Sequence, residues 1–172
     1  MMKSYFAMFA GYNRWANRRL YATARALPDA EYRKPRGAFF SSLHGTLNHL
    51  VVADRIWMRR FTGEGRLQTR LDEVLFDDFD ALDAARQAED ERIVRYIDGL
   101  SEADLVSTFT FRTIVRPQDI TQPIAPALGH FFNHQTHHRG QAHCIVTEIA
   151  GNDAMPSLDL IIYQRETGVG MS

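Results

Sequence analysis

Residues 130–143 read HFFNHQTHHRGQAH and hold five of the seven histidines of the chain. They lie within a run over 126–150 that follows a loop marked by Pro117, Pro123 and Pro126 and stops at Gly151 and Asn152. Its length and punctuation predict one long helix. Successive helical residues turn by about 100°, so His134 and His138 share a face roughly one turn apart. The same stripe continues through Gln141, Ile145 and Ile149, which directs the pair inward. His143 shares its face with Arg139, Thr147 and Ala150, and both His143 and Arg139 are expected to face outward, toward solvent or a partner subunit. His130 and His137 fall at the margin of the inward stripe, and Cys144, two residues from it, reads as a small buried hydrophobe.

Working outward, three more long helices are expected. The first covers 4–26, with Phe6, Phe9, Ala10, Leu20 and Ala24 at helical spacing and Pro28 and Asp29 beyond its end. The second runs from a cap at Ser41 or Ser42 to Thr62, stopped by Gly63 and Gly65. One of its stripes carries Leu43, Leu47, Leu50, Asp54, Trp57 and Phe61; the adjacent stripe carries Thr46, His49, Ala53 and Ile56. The third spans 77–100, with Phe79, Leu82, Ile93, Tyr96 and Ile97 inward. Residues 105–115, LVSTFTFRTIV, are β-branched and aromatic and predict a strand or small hairpin, and 157–165 predict a short closing helix. The fold class is therefore all-α, a four-helix bundle with a short β insertion before the last main helix, in a single domain over 1–172.

Composition excludes several functions. A chain of 172 residues with 45% hydrophobic and 24% charged residues suits a self-contained globular domain. Its net charge of −1 offers no basic footprint for nucleic acid. No run approaches the roughly 18 apolar residues that span a bilayer. The start, MMKSYFAMFAGY, is followed at once by Asn13, Arg14, Asn17, Arg18 and Arg19, which suits an amphipathic helix better than a secretory signal. The expectation is a cytoplasmic protein that binds neither nucleic acid nor membrane and acts on a small molecule.

Neutral imidazole is the commonest side-chain metal ligand, and two at i and i+4 can grip one ion, as in HExxH. Spacing alone leaves the pairs His130 with His134 and His134 with His137 open as well. A tight site needs a third donor. His49 is the best placed, because its inward stripe would bury a bare histidine at a cost unless it found a partner; His44, about 140° away, is the rival. Gln135 stands where HExxH has its glutamate, so peptidase chemistry is not expected. Glu148 lies two to three turns beyond the pair. Asp54 and Gln141 remain the candidates for a catalytic group. Asp54 could instead pair with Arg55, Arg59 or Arg60, or accept from a ligand's other ring N–H.

At YNRWANRRL (12–20), SLHGTLNHLVVADRIWMRRFTG (42–63) and HFFNHQTHHRGQ (130–141) the sequence resembles the DinB family of DinB/YfiT-like metalloenzymes. The resemblance covers nearly the whole chain. It implies a DinB-like four-helix bundle in which His49, His134 and His138 bind one divalent metal, zinc or nickel before iron or copper. It also implies an open coordination position, a low-molecular-weight thiol as cosubstrate in S-transferase or isomerase chemistry, and a homodimer. The alternative reading is a non-catalytic, stress-related metal-binding bundle. A ferritin-like di-iron site is not expected, since no Glu is followed by His three positions later.

Overall fold

The computed structural model describes residues 1–171; Ser172, within the expected 1–172 domain, lies outside the described residues. Four long helices form the body: α1 (Met2–Arg25), α3 (Leu43–Thr62), α4 (Phe79–Gly99) and α6 (Ile124–Ala150). Short helices α2 (Asp29–Arg33), α5 (Glu102–Val106) and α7 (Leu160–Thr167) connect or close them. Strands β1 (Thr108–Arg112) and β2 (Asp119–Pro123) pair antiparallel just before α6.

Helix ends follow local chemistry. The Ser42 hydroxyl accepts from the Gly45 N–H to start α3, and the Asp78 carboxylate accepts from Ala81 to start α4. Gly63 takes the left-handed conformation (φ 75°) that stops α3. Ser101 and Asp104 form a reciprocal capping box that accounts for α5, a helix absent from the sequence reading. The hairpin extends further than expected, because β2 occupies part of the proline-marked loop. Thr113 N–H donates to the Gln118 carbonyl at 3.0 Å and closes the turn. Phe109 and Phe111 alternate inward along β1 and lie against Phe61 and Trp57 near the end of α3.

Helix α1 packs on α4 and α6, and α3 packs on α6 and α4. The bundle interior divides into two main apolar clusters, beside a smaller third of Met8, Tyr12, Ala16 and Tyr163 where α1 meets α7. Of the main two, one holds Leu20, Leu43, Leu47, Leu82, Ile145 and Val146; the other holds Phe6, Met58, Ile93, Ile97, Leu128 and Phe131. On every long helix, polar residues separate them: Asn13 and Asn17, Asp54, Arg86 and Asp90, and Gln135 and Arg139, all at most 2% exposed.

These side chains pair with one another across four helices, although Arg86 Nε, Asp90 Oδ2 and Arg139 Nε are left without a hydrogen-bond partner. Arg86 Nη1 lies 2.6 Å from Asp54 Oδ2 and its Nη2 3.0 Å from Asp90 Oδ1. Asn17 donates to Asp90 at 2.9 Å, Gln135 donates to Asp54, and Arg139 donates to the Asn13 carbonyl oxygen. Arg139 therefore does not face outward. Helix α6 is covered by α3 on one side and α1 on another, so its buried arc is wider than the single apolar stripe suggests, and the α1 asparagines make that second side polar. Cys144, expected to be buried, is exposed; it is turned away from Ala142, Ile145 and Val146, which fill the interior.

Replacing Arg86 with Met strips the partner from two buried carboxylates, a loss of about 3–5 kcal/mol. Urea denaturation of Arg86→Met checks this; a loss below about 1 kcal/mol would contradict the paired layer.

Candidate metal centre

Helices α3 and α6 bring His49, His134 and His138 together, with one ring nitrogen from each within 4.8 Å of the other two. Ring centroids are 5.3 Å apart for His49 and His134, 4.5 Å for His49 and His138, and 4.3 Å for His134 and His138. Nε2 of His134 and Nε2 of His138 are 3.1 Å apart, a separation open to two nitrogens that each bond one ion at about 2.1 Å.

Partners at the far side of two rings fix which nitrogen is free. His49 Nδ1–H donates to the Leu71 carbonyl at 2.7 Å, and His138 Nδ1–H donates to Gln141 Oε1 at 2.7 Å. A carbonyl oxygen only accepts, so each Nδ1 holds the proton and each Nε2 presents a lone pair. His49 Nε2 is buried and has no hydrogen-bond partner. Leaving such a group unpaired costs about 1–3 kcal/mol, and a cation among the three rings would satisfy it. An all-imidazole donor set suits first-row transition metals.

Burial keeps these rings neutral. It lowers His49 to about 4 and His134, with help from the neighbouring histidines, to about 3, and it lowers His138 as well. The lone pairs are thus available at neutral pH without proton loss.

Phe40 stacks on His49, with centroids 3.7 Å apart and planes 16° from parallel, and meets His138 edge-on at 5.4 Å. It reaches the rings from the loop before α3, where Ser41 adopts a positive φ of 69°. That loop passes so close to α3 that a Cβ on Gly45 would sit 2.1 Å from the Phe40 carbonyl oxygen; only glycine fits there. Phe40, Gly45 and the Leu71 carbonyl escaped the sequence reading, because loop contacts leave no periodic trace.

The remaining sequence candidates separate cleanly. Gln141 supports His138, as described. Asp54 sits one turn beyond His49 but bonds Gln135 and Arg86 in the buried layer. Glu148 pairs with Arg36 at 2.7 Å. His44 meets the Tyr32 hydroxyl at 3.1 Å and is not part of the three-histidine group. His130 and His137 are exposed, and His143 is half-buried at a groove between α1 and α6. His134 lines a cavity of about 370 Å³ that also meets Ala53, Ile56, Trp57 and the hairpin tip. His134 therefore opens the three-histidine group onto a space large enough for a small molecule.

The lowered histidines give stability a signed pH dependence. An unfolded chain takes up protons near pH 6.5 that the folded, metal-free protein refuses down to about pH 4, so their contribution is present above 6.5 and lost as pH falls. The melting temperature of chelator-treated wild type should fall relative to that of His49→Gln between pH 6.5 and pH 4. A constant difference across that window would show that His49 is not held neutral by burial.

No helix of the described residues is long and apolar enough to cross a membrane. Over 171 aligned residues the chain is 23% identical to Protein DinB of Bacillus subtilis (strain 168), an alignment covering 91% of this chain and 92% of that protein. The DinB family itself is matched from residue 1 to residue 166, through all four long helices and all three converging histidines. By that match the chain belongs to the DinB family.

Proposed function

We propose that the three-histidine centre holds one divalent transition metal, zinc or nickel before iron or copper, and that the protein is a metal-dependent S-transferase joining a small thiol to an electrophile. The observation that carries the reading is the orphaned Nε2 of His49, facing the Nε2 pair of His134 and His138 beside an accessible cavity. Three protein donors leave a position for an exogenous ligand, the pattern of catalytic rather than closed structural sites. A divalent ion there supplies Lewis acidity, which holds a thiol in its nucleophilic thiolate form at neutral pH.

The chain's own residues suit that division of labour. His49 and His138 are oriented by Leu71 and Gln141, and Phe40 shields one side of the rings from water. Among the described residues no carboxylate joins the three-histidine group, so a reaction that needs no protein base fits best. In substitution, the thiolate sulfur forms a bond to an electrophilic carbon and the leaving group departs with its electron pair, while the proton shed by the thiol passes to solvent.

Elemental analysis of the purified protein should give one ion per chain, and His134→Ala should lose most of it. Conjugation of a low-molecular-weight thiol to a haloaromatic electrophile should vanish on chelation and return with the metal. Full stoichiometry in His134→Ala would overturn the ligand assignment. A loaded protein inert toward a panel of thiols and electrophiles, yet melting far lower when stripped, would instead favour a non-catalytic metal-binding bundle.

A further inference from the structure

The cavity beside His134 contains two arginines that the metal centre does not explain. Arg60, in the last turn of α3, lines it together with Arg116 from the hairpin turn. The Arg60 guanidinium lies 4.5 Å from the Trp57 ring centroid and 4.6 Å from that of Phe111, so two aromatic faces hold it in place. Its neighbours on the helix are otherwise occupied: Arg55 faces Glu89 at 3.8 Å, and Arg59 donates to the Gly65 carbonyl. Arg60 has no such partner among the described residues, and burial alone lowers its pKa. It is near enough to His130 for its charge to help keep that ring neutral.

A half-buried guanidinium without an anion, fixed on the wall of a cavity, is a prepared oxyanion contact. The rest of the wall selects the body of the ligand. Trp57, Ile56 and Val115 are apolar, and the cavity volume of about 370 Å³ suits a molecule of modest size. We propose that this cavity is a subsite for a small organic acid, whose carboxylate pairs with Arg60 and Arg116 and whose apolar body lies along Trp57 and Ile56. As the substrate or cosubstrate class of the metal-centred reaction this rests on the function proposed above; as a binding site it stands on the arginines alone.

Phenylacetate, its neutral isostere phenylacetamide and inorganic phosphate serve as probes, titrated calorimetrically into metal-free and zinc-loaded protein of known metal content. Phenylacetate should bind about tenfold or more tightly than either of the others in both forms. Arg60→Gln should abolish the preference, Arg60→Lys should retain part of it, and Arg116→Gln should weaken it. Equal affinities in wild type, or a preference untouched by Arg60→Gln, would overturn the subsite; so would a preference confined to the zinc-loaded form, which would place the carboxylate on the metal. Failure of the protein to take up zinc while the preference persists would overturn the metal-centred reaction and support the subsite.

Discussion

The structure depends on a layer of buried polar side chains at one level of the bundle. Asp54, Arg86 and Asp90 form a charge row, and Asn13, Asn17, Gln135 and Arg139 complete it across the other helices. Removing one member strands the charge it faced, in surroundings where an unpaired charge is costly. A helix sliding by one turn would do the same to several members at once. The layer thus sets helix register, whereas the apolar clusters on either side would tolerate more slippage.

Register is what builds the histidine centre. Gln135 and Arg139 are an i, i+4 pair, and His134 and His138 are the i, i+4 pair one residue earlier, turned by about 100° on the same helix. Anchoring the first pair against Asp54 and Asn13 directs the second toward α3, where His49 lies little more than one turn before Asp54. Gln135, in the position that a metalloprotease gives to its glutamate, is spent on this structural task. The chemistry left at the centre is that of three neutral donors and an adjoining cavity.

Much of this was legible in the sequence. Long amphipathic helices announce themselves by periodicity, and Ser42, Gly63 and Gly151 marked their ends. Spacing left several histidine pairs open and the family resemblance singled out His49, His134 and His138, the three that the structure brings together. Spacing places Arg139 outward because its buried partners, Asn13 and Asn17, lie more than a hundred positions away in the chain. Asp54 has its partner in Arg86 on the next long helix, beyond the reach of spacing along α3. Phe40 and the Leu71 carbonyl act through loops, where no spacing rule operates. The short helices α2 and α5 give only five residues of pattern, too few to stand out from their surroundings.

The account stands or falls on whether three imidazoles share one ion. X-ray absorption at the metal edge of the zinc-loaded protein counts the imidazoles directly. Three imidazole nitrogens at about 2.0–2.1 Å, with one or more oxygen donors from solvent, is the predicted result, falling to two imidazoles in His49→Ala. A shell dominated by carboxylate or sulfur donors, or one unchanged in that variant, would contradict it.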